Sequence, residues 1–218
     1  MIERLLPFEV ASAETFSELT GVLHPAEQVA AAGMRPARRD EFVTGRVCAR
    51  RALARLGHPD SPVPRGFRGA PRWPAGTVGS ISHCPGYRVA VVASDEKLVG
   101  VGVDAEPNLP LPPGVRDSIV CDEDELRRLL DFSNDTVHVD RMLFSAKEAV
   151  YKLWFPLVGR GLGWRDVDIS FDERGSFTAR IASARGLDWR LVGPTGRWMV
   201  SRGLILTAVA VGAPGSPW

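Results

Sequence analysis

Cysteine is scarce in this chain, and the few residues present are poorly placed for bridging. Cys48, Cys84 and Cys121 are the only three in 218 residues, far apart and with no C-x-x-C pair. An odd number excludes a complete disulfide framework, and the spacing excludes a thiolate metal site. They read as reduced, mostly buried small residues of a cytosolic protein. An excess of one charge is also missing, since 27 Lys and Arg face 26 Asp and Glu, a formal net charge of +1. That balance argues against a dominant basic face for nucleic acid or anionic lipid. No apolar run approaches the length of a bilayer-crossing helix, and Met1 to Pro7 lacks the apolar core of a signal peptide. The expectation is a cytoplasmic protein with neither nucleic acid nor membrane as partner. What is present, 44% hydrophobic and 24% charged residues, is ordinary for a globular protein. The length suits one large domain or two closely packed halves.

Pro25 and Pro36 are placed to open helices, because the first helical turn needs no amide donor. The second helix is predicted from about Ala37 to Leu56, with Phe42, Val43, Val47, Leu53 and Leu56 on one face and Gly57 ending it. A turn-rich connector from Pro59 to Gly76 follows, crowded with Pro, Gly and Arg. Strands are predicted at Thr77–Ser82, Arg88–Ala93 and Val99–Ala105, the last running out towards Pro107. Asn108 to Gly114, with three prolines, reads as a linker. Asp122 and Glu125 are spaced as a capping box for a short helix whose acidic start suits the helix dipole. The most periodic segment is Val139 to Phe155, with Pro156 expected to stop the helix. Val167–Phe171, Phe177–Ile181, Trp189–Val192, Trp198–Ser201 and Leu204–Val211 read as short strands. A turn followed by an apolar strand recurs at Ser82–Ala93 and Ser201–Val211, a faint echo compatible with two related halves.

Four clusters could carry chemistry. Strand alternation puts Asp104 and Glu106 on one side of Gly100–Glu106. Such a pair is either a strand running into a solvated turn or a site for a hard cation such as magnesium, which takes one or two carboxylates and leaves room for phosphate oxygens. On the helix, Glu148 and Lys152 share one face and Lys147 and Tyr151 another, which alone suggests nothing beyond a surface ion pair. Gly79-Ser80-Ile81-Ser82-His83 ends a strand in small residues that let a phosphate approach, or simply opens a hairpin; the G-x-S-x-G elbow of serine hydrolases is not met. Arginines at 35, 38, 39, 46, 50, 51, 65, 68 and 72 offer bidentate phosphate donors or a solvated helix face.

In this order the motifs are specific. Gly79–His83, Gly102-Val-Asp-Ala-Glu106 and Lys147-Glu-Ala-Val-Tyr-Lys152 together resemble the surfactin- and enterobactin-synthetase-activating class of 4′-phosphopantetheinyl transferases. Glu41–Arg50 and Arg65–Pro74 are similar to the N-terminal half of that family, with the nearest likeness to actinobacterial enzymes. The resemblance spans roughly Arg35 to Val211. It implies an α+β fold of two similar α/β halves related by a pseudo-twofold axis, residues 1–106 and 107–218, with coenzyme A at their junction. By motif match Asp104, Glu106 and Glu148 would bind Mg2+, with Mn2+ as the other option. Glu148 and Lys152 would be catalytic. Arg38, Arg46, Arg68, Ser82, His83, Lys147 and Lys152 would hold coenzyme A. The acceptor would be a serine of an acyl or peptidyl carrier protein, docked on Leu157, Val158, Leu162 and Trp164 unless these fill the core. A monomer is expected. The rival readings are a magnesium phosphotransferase or phosphodiesterase acting without a carrier, and a catalytically silent scaffold for carrier domains or nucleotides.

Overall fold

The computed structural model describes residues 1–132, 136–182 and 189–214. Two antiparallel sheets, each backed by one long helix, form the framework. In the first, β1 (Ala11–Thr15), β2 (Thr77–Cys84) and β3 (Tyr87–Ser94) lie in the order β1-β3-β2. In the second, β4 (Leu98–Pro107), β5 (Val167–Asp172), β6 (Ser176–Ile181), β7 (Thr195–Ser201) and β8 (Leu204–Gly212) lie in the order β4-β8-β7-β6-β5. The helices are α1 (Pro25–Ala31), α2 (Pro36–Arg55), α3 (Val115–Ile119), α4 (Glu123–Asp131), α5 (Val139–Val158) and α6 (Trp189–Val192). This is the α+β, two-halved architecture that the motif order implies.

The repeated turn-and-strand pattern corresponds to two hairpins, each with a two-residue turn. Pro85-Gly86 joins β2 to β3, and Gly86 takes the positive φ of 76° that a type II turn demands at its second central position. Arg202-Gly203 joins β7 to β8, with φ of 52° and 73°, the left-handed pair that matches strand twist. Behind β1 and β3 the small residues Cys48, Ala49 and Ala52 of α2 allow close helix-on-sheet packing around Leu53, Val63, Ala90 and Val92.

β4 explains how the site is made. Its alternation sends Val101, Val103 and Ala105 into a core shared with Ile2, Leu5, Tyr87 and Leu206. Gly100, Gly102, Asp104 and Glu106 share the opposite face. A β-carbon on Gly102 would lie 2.0 Å from the Ala149 carbonyl oxygen, so α5 rests directly on the strand backbone there. The two sheets meet where β2 lies beside β4 without a shared ladder. Ser80 Oγ accepts the Val103 N–H at 3.1 Å, and Ser82 Oγ donates to Asp104 at 2.8 Å.

Three local expectations need correction. Trp189–Val192 is a single helical turn, not a strand; four residues are too few for periodicity to separate the two. Pro156 lies inside α5 rather than ending it, because its fixed φ suits a last turn and only one amide is lost. The stop is Gly159, in the left-handed conformation, whose N–H caps the Phe155 carbonyl. The small and polar β1 carries no strand signal and forms through its pairing to β3. Among the described residues no helix is long and apolar enough to cross a membrane.

Candidate active site

A cleft of about 480 Å³ opens where α2, β2, β4 and α5 converge. Nine of the ten predicted site residues line it: Arg38, Arg46, Arg68, Ser82, His83, Asp104, Glu106, Glu148 and Lys152. The acidic side is built by the close contact of α5 with β4. Glu148 and Lys152, one turn apart, face the strand where Asp104 and Glu106 emerge beyond the two glycines. Lys152 Nζ donates to Asp104 Oδ1 at 2.7 Å and to Ser82 Oγ at 2.9 Å. Glu106 is paired with Arg141 at 2.9 Å. Burial raises the proton affinity of Glu106, and Asp104 adds to the effect against the pull of Arg141 and Lys152. Burial likewise raises the pKa of Glu148; Lys152 opposes this and Asp104 reinforces it. The carboxylates therefore sense one another across the cleft.

The donor set fits a hard cation. Asp104 Oδ2 is buried and has no hydrogen-bond partner, while Oδ1 is saturated by Lys152 and Ser82. An orphaned carboxylate oxygen beside two further carboxylates is costly unless something positive meets it. Among the described residues no three His, Cys, Asp or Glu side chains form a ready-made cage. Asp104, Glu106 and Glu148 line one cleft but are not drawn together into such a cage.

The basic side comes from α2 and the connector. Arg46 stacks on Phe42, 4.1 Å from its ring centroid, and donates through Nε to the Val63 carbonyl at 2.6 Å. Burial brings its pKa down to about 10, with Glu27 opposing. Arg38 NH1 meets His83 Nε2 at 2.5 Å. Arg68 sits at φ 51° within a tight turn, and a β-carbon on Gly161 would lie 3.2 Å from its NH1, so the side chain spans from the connector to the loop after α5.

Lys147 is the exception. Its side chain is almost wholly buried, and Nζ donates to Glu125 Oε2 at 2.8 Å, the Ile119 carbonyl at 2.7 Å and the Trp164 carbonyl at 3.0 Å. Consecutive helical residues point about 100° apart, so with Glu148 in the cleft Lys147 turns towards α3 and α4. Its ammonium is directed away from the cleft where coenzyme A was expected, into contacts that join α3, α4 and α5. Leu157, Val158, Leu162 and Trp164 are half-buried against the core of the second sheet. The sequence reading gave no role to Glu41 and Phe144, which line the cleft beside Arg65, one of the arginines it had named, nor to Arg141. Only Glu41 had a usable signal, its three-residue spacing from Arg38.

Comparison with known proteins agrees with this geometry. Residues 25–93 match the family model for the 4′-phosphopantetheinyl transferase N-terminal domain, and residues 100–206 that of the 4′-phosphopantetheinyl transferase superfamily. The 4′-phosphopantetheinyl transferase Svp of Streptomyces mobaraensis is 43% identical, over 98% of this chain and 90% of its own length. Npt of Nocardia iowensis is 40% identical over 96% and 99%, and PptT of Mycobacterium tuberculosis 43% over 93% and 92%. With both halves of the sequence matched and relatives of this identity aligned end to end, the chain belongs to the 4′-phosphopantetheinyl transferase superfamily.

Proposed function

We propose that this protein transfers the 4′-phosphopantetheine group of coenzyme A to a serine hydroxyl of an apo acyl or peptidyl carrier protein, releasing 3′,5′-ADP. The observation that carries the reading is a single cleft lined by Asp104, Glu106, Glu148 and Lys152 together with Arg38, Arg46, Arg68 and His83. Phosphoryl transfer needs positioning and charge neutralisation more than covalent help, and these residues supply both.

Arg38, Arg46, Arg68 and His83 bind the 3′-phosphate and adenine nucleotide end, because guanidinium forks match phosphate oxygens. Asp104, Glu106 and Glu148 would hold Mg2+, or Mn2+, which takes the same oxygen ligands. The metal, when bound, neutralises charge on the pyrophosphate. Ser82 and Lys152 stand beside Asp104, and the Lys152 ammonium offsets charge on the transferred phosphoryl oxygens. The serine oxygen forms its new bond to the phosphorus that carries pantetheine; the bond from that phosphorus to the bridging oxygen breaks, and the oxygen leaves with 3′,5′-ADP. Glu148 takes the serine proton, directly or through water. Burial raises its proton affinity and Asp104 adds to the effect, while Lys152 opposes it. The division between halves 1–106 and 107–218 falls at the end of β4, which pairs within the second sheet beside the cleft, and the protein acts as a cytoplasmic monomer.

Intact mass spectrometry of an apo carrier protein incubated with this protein, coenzyme A and magnesium tests the reading. The expected result is a gain of one phosphopantetheine, abolished by EDTA. Coenzyme A binding with no mass change on several carriers supports the silent scaffold. Release of 3′,5′-ADP without any carrier supports a phosphodiesterase.

A further inference from the structure

One carboxylate stands where a site for phosphate should not want it. Glu41 lines the cleft among Arg38, Arg46, Arg65, Arg68 and Lys152. A negative charge there repels an incoming phosphate, so its presence calls for a compensating task.

Its contacts describe that task. Glu41 Oε2 accepts from Arg38 NH1 at 2.9 Å, one helical turn away on α2. The same nitrogen of Arg38 meets His83 Nε2 at 2.5 Å, and the other ring nitrogen, Nδ1, lies 3.8 Å from Glu41 Oε2. A guanidinium can only donate, so Nε2 accepts and the ring proton resides on Nδ1, the nitrogen nearer the carboxylate. Arg88, nearly buried and with an unpartnered Nε, approaches Glu41 Oε1 at 3.9 Å from β3. Left alone, Arg38 is half exposed and would sample many rotamers. The charged groups that bear on His83 are Glu41 and Arg38 from α2, Arg88 from β3 and Lys152 from α5; of these, only Glu41 is an anion.

We propose that Glu41 is a positioning residue, which fixes the guanidinium of Arg38, directly and through the tautomer of His83 that accepts from it, so that the remaining N–H donors of Arg38 face the terminal 3′-phosphate of coenzyme A. The inference rests on the functional reading above, in which Arg38 and His83 take that phosphate. Its signature is selectivity: Glu41 matters for a ligand carrying the 3′-phosphate and little for one without it. Damage to the fold would weaken both ligands alike.

The test is calorimetric binding of coenzyme A and of 3′-dephospho-coenzyme A to the wild-type protein, Glu41→Gln, Glu41→Asp, His83→Asn and the Glu41→Gln/His83→Asn double variant. We expect Glu41→Gln to lower affinity for coenzyme A about tenfold and for dephospho-coenzyme A less than twofold, with Glu41→Asp intermediate. The double variant should bind coenzyme A about as weakly as His83→Asn alone, because the two residues act as a unit. In transfer assays the loss should fall on KM for coenzyme A, with kcat nearly unchanged. Equal losses for both ligands, unchanged or tighter coenzyme A binding by Glu41→Gln, or additive effects in the double variant would each overturn the positioning role. A wild-type protein that binds both ligands equally overturns the assignment of Arg38 and His83 to the 3′-phosphate, and with it the role of Glu41. Failure of the wild type to bind coenzyme A at all overturns the functional reading itself.

Discussion

Lys147 and Lys152 lie five residues apart on α5, and the structure predicts that removing either charge has opposite consequences. Among the described residues Lys147 is the only counter-charge within salt-bridge distance of Glu125, and both side chains are 1% exposed. Glu125 also accepts the Cys121 N–H at 2.6 Å and the Ile169 N–H at 2.7 Å, so the carboxylate is fixed from three directions. Lys147→Met keeps the apolar stem but strands the carboxylate and removes the donor from the Ile119 and Trp164 carbonyls. Breaking one partner of a buried pair costs about 3–5 kcal/mol. For a chain of this size that corresponds to a drop of roughly 6–20 °C in Tm. Desolvation disfavours the charged lysine and Glu125 opposes this without cancelling it, and Lys147 does not line the cleft. Lys152→Met removes an ammonium a quarter exposed, where water can reach Asp104 in its place, and costs no more than about 1–3 kcal/mol. The assay is denaturant unfolding of both variants beside carrier modification by mass spectrometry, well below the lower Tm. Lys147→Met should be unstable but still transfer at a rate near that of wild type; Lys152→Met should be stable and almost inactive. A Lys147→Met protein that melts within 2 °C of wild type, as an order-of-magnitude threshold, yet transfers nothing would refute the reasoning.

Glu148→Gln should retain the wild-type melting curve and lose transfer by a factor of about 10²–10⁴, the usual worth of a positioned base; near-normal turnover removes Glu148 from the mechanism. Gly102→Ala pushes a methyl group against the Ala149 carbonyl and the Leu153 amide, at 2.0 and 2.8 Å, and should cost about 1–3 kcal/mol or more while displacing α5 from β4. The check is a denaturant midpoint together with a fall in transfer. Glu14 is pulled towards a raised pKa by burial, but bonds from the amino terminus of Met1, Tyr87 and the Ile2 amide outweigh it and hold its carboxyl below the usual range. A depressed folded pKa means stability that is present above the unfolded value and lost as pH falls through the folded one. The Tm of Glu14→Gln should therefore be lower than that of wild type near neutrality, and the gap should close in acid.

The long, strongly patterned segments were legible in the sequence. α2, α5 and β2 to β4 each lie within two residues of the expected bounds, except that α5 runs on three residues to Val158. Periodicity and the turns at Pro85-Gly86 and Pro107 supplied enough local information. β1 was not legible, because Ala11, Ser12 and Ala13 carry no preference and the strand exists only through its partner. In the site, motif and alternation located Asp104, Glu106, Glu148 and Lys152. Lys147 was expected in the cleft because sequence alone gives it no buried partner, and only the third dimension supplies Glu125. Arg141 had no signal at all, since its partner Glu106 lies 35 residues away.

A net charge of +1 was weak evidence about ligands because charge here is segregated rather than scarce. The cleft is lined by five cationic side chains, Arg38, Arg46, Arg65, Arg68 and Lys152, and four carboxylates, Glu41, Asp104, Glu106 and Glu148. Such a lining is nearly self-neutral, so the protein alone offers little net attraction to a polyanion like coenzyme A. Carboxylates at about 4 Å from an anion repel it by roughly 4 kcal/mol at an effective dielectric constant of 20, before any counter-charge intervenes. A cation at Asp104, whose Oδ2 has no partner, would reverse that balance. Coenzyme A should therefore bind at least tenfold more weakly in EDTA than in magnesium, measured calorimetrically with no carrier protein present. Asp104→Asn should reduce the difference, since it removes one ligand charge. Equal affinity in both conditions would mean that the arginines alone carry binding and that the acidic cluster serves only the chemical step.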